Sequence, residues 1–512
     1  MKNIFNIGKL LLVGLVLVSV NQGCTDLEEE LFSEIAVDDF FQTDEQITSA
    51  LGAAYTSLYG FMGDVYAAQQ ITSDENATPT RGNDWDDGGH WRRLHLHTYS
   101  PLDPIIGGAW NFAYGGINTV NRLLFQFEQL GVPEAEPELR ALRAYYYFLL
   151  LDMYGNVPLA IDFTDTEAPS TSSRQEVYNF VESELTAVLS QLSKTVGGSQ
   201  YGRMNFFAAQ AVLANLYMNA EVYTGTAQWG KAQDALDAII DSGSFALAGN
   251  FFSNFQVDNA GSREIIFAIP YDEVFAQGFN LNARTLHYGS QNTYKFTFQP
   301  WNGYCALEEF YNSFDDEDIR KNSFIQGQQF DVDGNEIIDT GAEEADLNGP
   351  PLFFRANINE LGPNALREAG TRIGKYEFEN GASQNMSNDF ILFRYADVLL
   401  MKAEAIMRQG GDMGEALDLV NQIRDRAEVD DFDMLDMDML LAERGRELAF
   451  EAKRRTDLIR FGAYNNEWWA KRMTPNPDEF AEAGRFDPEV QIFPIPAGQL
   501  DANKNLVQNP GY

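Results

Sequence analysis

A mostly α-helical fold is predicted, a helix-hairpin scaffold carrying a loop-rich insertion with short strands. Three observations predict it. Apolar residues recur at helical spacing through the first half of the chain and again near its end. Two helix–turn–helix stretches read as copies of one another. Between them, residues 243–391 lose the helical period and break into short apolar runs separated by Gly and Asn.

The chain opens with Lys2 and Lys9 and a short apolar run, Leu10 to Val18. A bilayer span takes about 20 apolar residues, so this run reads as an export signal, 1–23, rather than an anchor. Cleavage after Gly23 would place Cys24 at the new N-terminus, the arrangement of a bacterial lipoprotein. Acyl chains such as palmitate on Cys24 would tether the protein, because each buried CH₂ contributes roughly 0.8 kcal/mol. Residues 24–44 then form an acidic tether, with Asp26, Glu28, Glu29 and Glu30 behind the cysteine.

Helices are predicted over Glu45–Tyr59, Ala109–Leu130, Glu138–Tyr154, Arg174–Leu192, Phe206–Tyr223 and Lys231–Asp241, which with a loop at 72–102 make up an N-terminal part, 45–242. Gly155 and Pro158 end the third of these. The insertion 243–391 holds strand-like runs at Phe251-Phe252, Glu264–Ile269, Tyr294–Phe298 and Tyr376–Phe378. Helices resume over Leu392–Gln409, Gly414–Ala427 and Leu440–Phe461 in a C-terminal region, 392–512. The copies are Met218-Asn219-Ala220-Glu221 with Ala235-Leu236-Asp237, and Met401-Lys402-Ala403-Glu404 with Ala416-Leu417-Asp418. Small Ala at a helix crossing lets the axes approach, the logic of tetratricopeptide-like hairpins. No Pro/Ser/Gly linker divides the chain, so one large unit is expected.

Composition narrows the function. The net charge is −40, and becomes −42 without 1–23, which carry Lys2 and Lys9 and no acid. Such a charge repels nucleic acid and anionic lipid, and favours a neutral ligand such as a glucan. With Cys24 lipidated, Cys305 has no disulfide partner. Signatures of nucleotide, acyl-transfer and metalloprotease sites are missing from the sequence: there is no Walker loop, G-x-S-x-G, H-E-x-x-H or C-x-x-C. No catalysis, no metal and no cofactor are expected. His95 and His97 would share a face of a strand, where a zinc pair competes with simple packing. Asp331 to Asp339 resembles a calcium loop, but lacks the Gly at position six and the Glu at twelve; Asp333-Gly334-Asn335 reads better as a hairpin turn.

The loop 72–102 is where ligand chemistry concentrates. It interleaves Trp85, Trp91 and Tyr99 with Asp74, Arg81, Asn83, Asp84, Arg92 and Arg93. Sugars present apolar C–H faces and hydroxyl rims, which flat aromatic rings and polar side chains hold together. A second aromatic group, Tyr294, Phe296, Phe298, Trp301 and Tyr304, lies in the insertion. For each Trp the competing assignment is half-buried packing. Trp110, on the periodic face of its helix, belongs to the core, and Trp468 and Trp469 read as packing too.

The C-terminal residues carry a family resemblance. Arg394-Tyr395-Ala396-Asp397-Val398-Leu399-Leu400 with Ala403-Glu404-Ala405 resembles R-Y-A-[DE]-V-L-L-x-x-A-E-A. Arg444, Glu447, Leu448, Glu451, Arg454, Asp457, Leu458, Arg460 and Gly462, then Phe493-Pro494-Ile495-Pro496 and Asn509-Pro510-Gly511-Tyr512, continue it. The chain is similar in these stretches to the SusD/RagB family of outer-membrane nutrient-binding lipoproteins. The resemblance implies a tetratricopeptide-like scaffold at the cell surface that lids a SusC-like TonB-dependent barrel and passes it oligosaccharide. By order and type it implies ligand contacts from Asp74, Arg81, Trp85 or Trp91, Tyr294 and Trp301, to which Asn83 and Asp84 of the same loop are added. The regular Arg and Glu residues of the last long helix read as packed ion pairs, not a site. A peptide- or glycopeptide-binding relative and an all-α glycoside hydrolase are the alternatives to a glycan carrier.

Overall fold

A computed structural model describes residues 43–341, 351–476 and 482–512. The expected signal peptide 1–23, Cys24 and the expected tether up to residue 42 lie outside the described residues. Residues Thr48–Tyr512 form one compact unit.

That unit is mainly helical. Helix α1 (Asp44–Tyr55) runs on into a 3₁₀ turn, and α2 (Asp64–Ile71) follows. After the early loop, which contains the one-and-a-half-turn α3 (His90–His95), come α4 (Pro104–Leu130), α5 (Glu136–Met153), α6 (Arg174–Val188), α7 (Phe206–Met218) and α8 (Trp229–Ile240). The C-terminal region adds α9 (Tyr395–Arg408), α10 (Met413–Arg426), α11 (Met437–Glu447) and α12 (Arg454–Arg460). Local chemistry sets the ends. Pro104 occupies the first turn of α4, where a missing N–H costs nothing, and Gly131 closes the helix at φ 69°. Ser173 and Glu176 cap α6 reciprocally, while Asn205 and Asp412 accept the first free N–H groups of α7 and α10.

The helices pack as sequential antiparallel pairs, α4 on α5, α5 on α6, α7 on α8 and α9 on α10. The two repeated hairpins touch through α8 and α9. Lys402 on α9 ties them, 2.9 Å from Asp237 of α8 and 3.1 Å from Glu415 of α10. Helix α5 is buried nearly all round, from Leu139 through Met153 except Arg140. Trp110 of α4 lies in the core, as its periodicity predicts.

Several boundaries differ from the sequence expectation. Leu392 to Arg394 are not helical: Phe390–Arg394 is a fully buried strand, antiparallel to Ile265–Ile269. Its partner is remote in sequence, so a local period could not reveal it. The expected helix Leu440–Phe461 is broken between Glu447 and Arg454, where Phe450 (φ 62°) and Ala452 (φ 57°) reverse the backbone. Helix α7 likewise stops at Asn219 before a separate turn of helix, Ala220–Thr224. Phe251–Phe255 is a 3₁₀ turn rather than a strand, and Tyr294 ends a short helix, Ser290–Tyr294. The stretch 331–335 is the expected hairpin turn: the Asp331 carboxylate accepts the N–H groups of Asp333 (2.9 Å) and Asn335 (2.8 Å).

The break after Glu447 has a cause. Arg394 reaches Glu264 (2.7 Å), Glu447 (2.5 Å) and Glu451 (2.7 Å), and Arg320 reaches Glu443 (2.6 Å) and Glu447 (3.2 Å), all buried. Burial would raise the pKa of Glu443, but Arg320 and Arg446 hold it down at about 2. The ion pairs are packed, as the sequence implies. They join the strand, the insertion and α11, however, rather than running along one helix.

Candidate functional site

The early loop is stitched to two distant parts of the insertion. Asn76–Ala77 pairs antiparallel with Cys305–Ala306. Thr80 and Gly82 donate their N–H groups to Leu361 (2.9 Å) and Pro363 (2.9 Å). Arg81 sits at the crossing and is almost wholly buried. It donates to the carbonyls of Asn302 (2.8 Å), Gly303 (3.0 Å), Leu366 (3.2 Å) and Ala369 (3.0 Å). Arg372 lies beside it and donates to Ala369 O (2.8 Å), Asn302 Oδ1 (2.8 Å) and Arg367 O (2.8 Å). Burial, and then the charge of Arg81, pull Arg372 down to about 9. Arg81, expected to reach a ligand, is instead mainly the clamp that holds the loops in place.

Beyond the clamp the chain surfaces as Gly82, Asn83 and Asp84, all exposed. Trp85 follows at φ 60°, half-buried, with its Nε1–H donated to the carbonyl of Trp301 at 2.6 Å. Gly303 makes this possible, since a Cβ there would meet the indole at 2.3 Å. The Trp85 ring centroid stands 5.2 Å from Trp91, 5.7 Å from Tyr304 and 6.4 Å from Trp301. Trp85 and Trp301 retain exposed surface, whereas Trp91 and Tyr304 are buried beneath them.

Asn83 and Asp84 line an open cleft of about 700 Å³, with Arg81 and Gly82 on the same wall. The facing wall comes from the insertion: Tyr288, Asp339, Phe353, Arg355, Arg367 and Glu368. Tyr288 donates its hydroxyl to Asp84. Burial and that bond push the phenol up to about 12, so it remains a donor at every physiological pH. The guanidinium of Arg367 lies 4.6 Å over the Tyr288 ring and 3.2 Å, through Nε, from Asp339. Arg355 donates Nε–H to Glu368 at 2.6 Å and lies 5.8 Å over the Phe353 ring. Burial would raise Asp339, but its bond to His287 and the charges of His287 and Arg367 hold it below the usual range. The cleft thus combines ring faces with committed ion pairs. That suits holding a polar ligand, and a carboxyl kept protonated for proton donation would need the opposite shift.

The expected ligand set is therefore split. Asn83 and Asp84 line the cleft. Trp85, next in the chain, does not line it and pairs instead with the half-exposed Trp301. Asp74 is bound bidentately by Arg454 (2.7 and 2.8 Å) and belongs to the frame. Trp91 is core, its Nε1–H given to Asp87 at 2.8 Å. Tyr294 stacks on Phe296 at 5.1 Å in a separate apolar cluster with Leu286 and Ala382. Tyr288, Phe353, Arg355, Arg367 and Glu368 were not expected. Their only sequence signal is an aromatic beside a charge, as in Phe353-Phe354-Arg355, which an apolar strand also explains.

The histidines are packing residues. His95 ends α3 and meets the Trp469 carbonyl at 2.8 Å; His97 meets that of Thr72 at 3.0 Å and stacks on Tyr464 at 4.3 Å. Burial lowers both pKa values, that of His95 to about 4. No strand carries them, so the zinc-pair geometry does not arise. Among the described residues no group of three His, Cys, Asp or Glu side chains is placed to hold a metal ion.

Comparison with known proteins places the chain. A family model described as "SusD family" matches residues 366–512, and one described as "Starch-binding associating with outer membrane" matches 27–218. The starch-binding protein SusD of Bacteroides thetaiotaomicron is 25% identical over 498 residues, covering 88% of this chain and 86% of that one. SusD-like protein P2 of Formosa agariphila is 24% identical over 533 residues, covering 97% and 98%. Among solved structures, surface glycan-binding protein A from Bacteroides thetaiotaomicron in complex with laminarihexaose superposes with a TM-score of 0.74 at 22% identity, over 91% of this chain and 99% of that one. Surface glycan-binding protein A from Bacteroides uniformis gives 0.72 at 24% identity, over 91% and 99%. Both ends of the chain match family models, and the helical architecture between them is shared with these structures: the chain belongs to the SusD/RagB family.

Proposed function

We propose that this chain is a glycan-binding protein of the bacterial outer membrane, tethered at the cell surface through lipid on Cys24, and that it captures oligosaccharide and hands it to a SusC-like TonB-dependent barrel without acting on it chemically. The observation that carries this reading is the cleft between the early loop and the insertion, together with the half-exposed Trp85–Trp301 pair that follows Asp84 in the chain. Exposed ring surface next to Asn83, Asp84, Arg355 and Arg367 offers stacking for C–H faces and hydrogen bonds for hydroxyls. Relatives are named for starch and glycan binding, which supports the same class of ligand here. The acids of the cleft are engaged by Tyr288, Arg355 and Arg367, an arrangement for holding rather than for proton transfer.

Affinity gels containing a panel of polysaccharides test the reading. The wild-type protein is expected to be retarded by at least one of them and to release no new reducing ends. Trp85→Ala and Trp301→Ala are each expected to weaken retardation about tenfold, a ring-stacking contribution on the order of 1 kcal/mol or more. Retardation of both variants equal to wild type would remove the tryptophan pair from the site, and new reducing ends would replace the carrier with a hydrolase.

A further inference from the structure

The whole chain is strongly acidic, yet the cleft presents guanidinium groups that its own carboxylates leave half used. Arg355 is held to Glu368 through Nε, and Arg367 faces Asp339 through Nε. Among the described residues neither arginine has a partner at Nη1 or Nη2. The ring of Phe353 and that of Tyr288 lie under the two guanidinium planes, so each is held from one side by its carboxylate and from below by an aromatic. Two parallel N–H groups on a fixed planar fork are the geometry that receives an oxyanion in a bidentate fashion.

The floor adds to this. Arg81 and Arg372 sit side by side, buried, and their hydrogen bonds go to carbonyl and amide oxygens and to the Cys305 sulfur. Neither has a carboxylate within ion-pair distance among the described residues, and only the longer-range charge of Glu368 opposes that of Arg372. Burial, and then the charge of Arg81, lower the pKa of Arg372. In the low dielectric of the interior such charges reach into the cleft with little screening. The opposing charges are Asp84 on the other wall, and Asp339 and Glu368 beside the two arginines.

We propose that the cleft selects glycans bearing an oxyanion, a carboxylate or a sulfate on the sugar ring, with Arg355 and Arg367 as the contacts that confer specificity. This rests on the cleft being the glycan site, as proposed above, and it departs from the neutral ligand that the total charge favours. The fields differ because net charge acts at long range and is screened within about 8 Å at physiological salt, whereas the cleft acts at contact.

The test uses the mature chain in affinity gels and calorimetry against neutral β- and α-glucans, polyuronates and sulfated galactans. An acidic polymer is expected to bind most tightly, and more weakly as salt rises. Arg355→Gln and Arg367→Gln are each expected to lower that affinity by about tenfold or more. Arg367→Lys, which keeps the charge and loses the fork, is expected to fall between. Asp84→Asn, which removes the opposing charge and keeps a polar group, is expected to raise the ratio of acidic-ligand to neutral-ligand affinity. The polyuronate and sulfated arms show which oxyanion is taken. Binding confined to neutral glucans, unaltered in Arg355→Gln and Arg367→Gln, overturns this inference and leaves the carrier reading intact. Retardation by none of the polymers overturns both.

Discussion

Glu75 shows how one residue can be costly and still be placed by the fold. It lies at the base of the early loop, buried, where its carboxylate accepts the N–H of Phe450 at 3.0 Å and an amide proton from Gln70. Burial pushes it from the ordinary 4.5 up to about 7. The folded state therefore binds this proton more tightly than the unfolded chain does. Stability from this group is fully present below pH 4.5, falls as pH rises toward 7 and is then constant, a loss of about 3 kcal/mol. Glu75→Gln keeps the size and an acceptor and removes the titration. Its melting temperature is expected to exceed that of wild type above pH 7, with the gap closing below pH 5. A gap independent of pH would show that Glu75 does not titrate in that window. The same scale explains the split of the expected ligand residues: Trp85 and Trp91 are alike in sequence, and only the turn at Trp85, with its bond to Trp301, leaves one at the surface and the other beneath it.

At the scale of elements, glycine position decides how closely helices approach. Gly116 of α4 faces Tyr146 of α5, and a Cβ there would meet the phenol ring at 2.3 Å. Both residues are in helices, so the requirement is for space, not for an unusual backbone angle. Gly116→Ala is expected to destabilise the protein by about 1–3 kcal/mol through overpacking, read as a lower melting temperature, and Gly116→Ala with Tyr146→Leu is expected to recover part of it. Equal melting temperatures for wild type and Gly116→Ala would mean that α4 and α5 shift apart freely. Helices with a clean 3.6 period were legible from sequence for this reason: α4, α8 and α10 each bury one stripe on a sequential neighbour. Phe390–Arg394 was not legible, because its buried run belongs to a strand whose partner lies at Ile265–Ile269. Nor was the break after Glu447, which serves ion pairs with Arg394 and Arg320 from elsewhere in the chain.

For the whole molecule, the proposed anchor is the feature that gives a surface cleft its use. A chain of net charge −42 without residues 1–23 is repelled by anionic headgroups, so in the proposal it is lipid on Cys24 that supplies the attachment. Cys24→Ser is expected to move the protein from the membrane fraction to the soluble or secreted fraction while leaving glycan affinity unchanged. Equal membrane retention of the variant would remove the lipid tether from the proposal. Anchor and cleft are separable in this way, since the compact unit Thr48–Tyr512 carries the whole cleft.

The amino-acid sequence by itself determined the helical scaffold, the paired hairpins and the family, because these rest on local periodicity and on short linear patterns. The joint use of the early loop and the insertion came from the family resemblance. The tertiary structure alone decided which side chains face the cleft. Arg81 became a clamp, Asp74 and Tyr294 went into the frame, and Arg355, Arg367, Tyr288 and Phe353 took the wall. The physical reason is that a cleft is built from backbone pairings between segments far apart in the chain, and exposure follows from those pairings rather than from residue type.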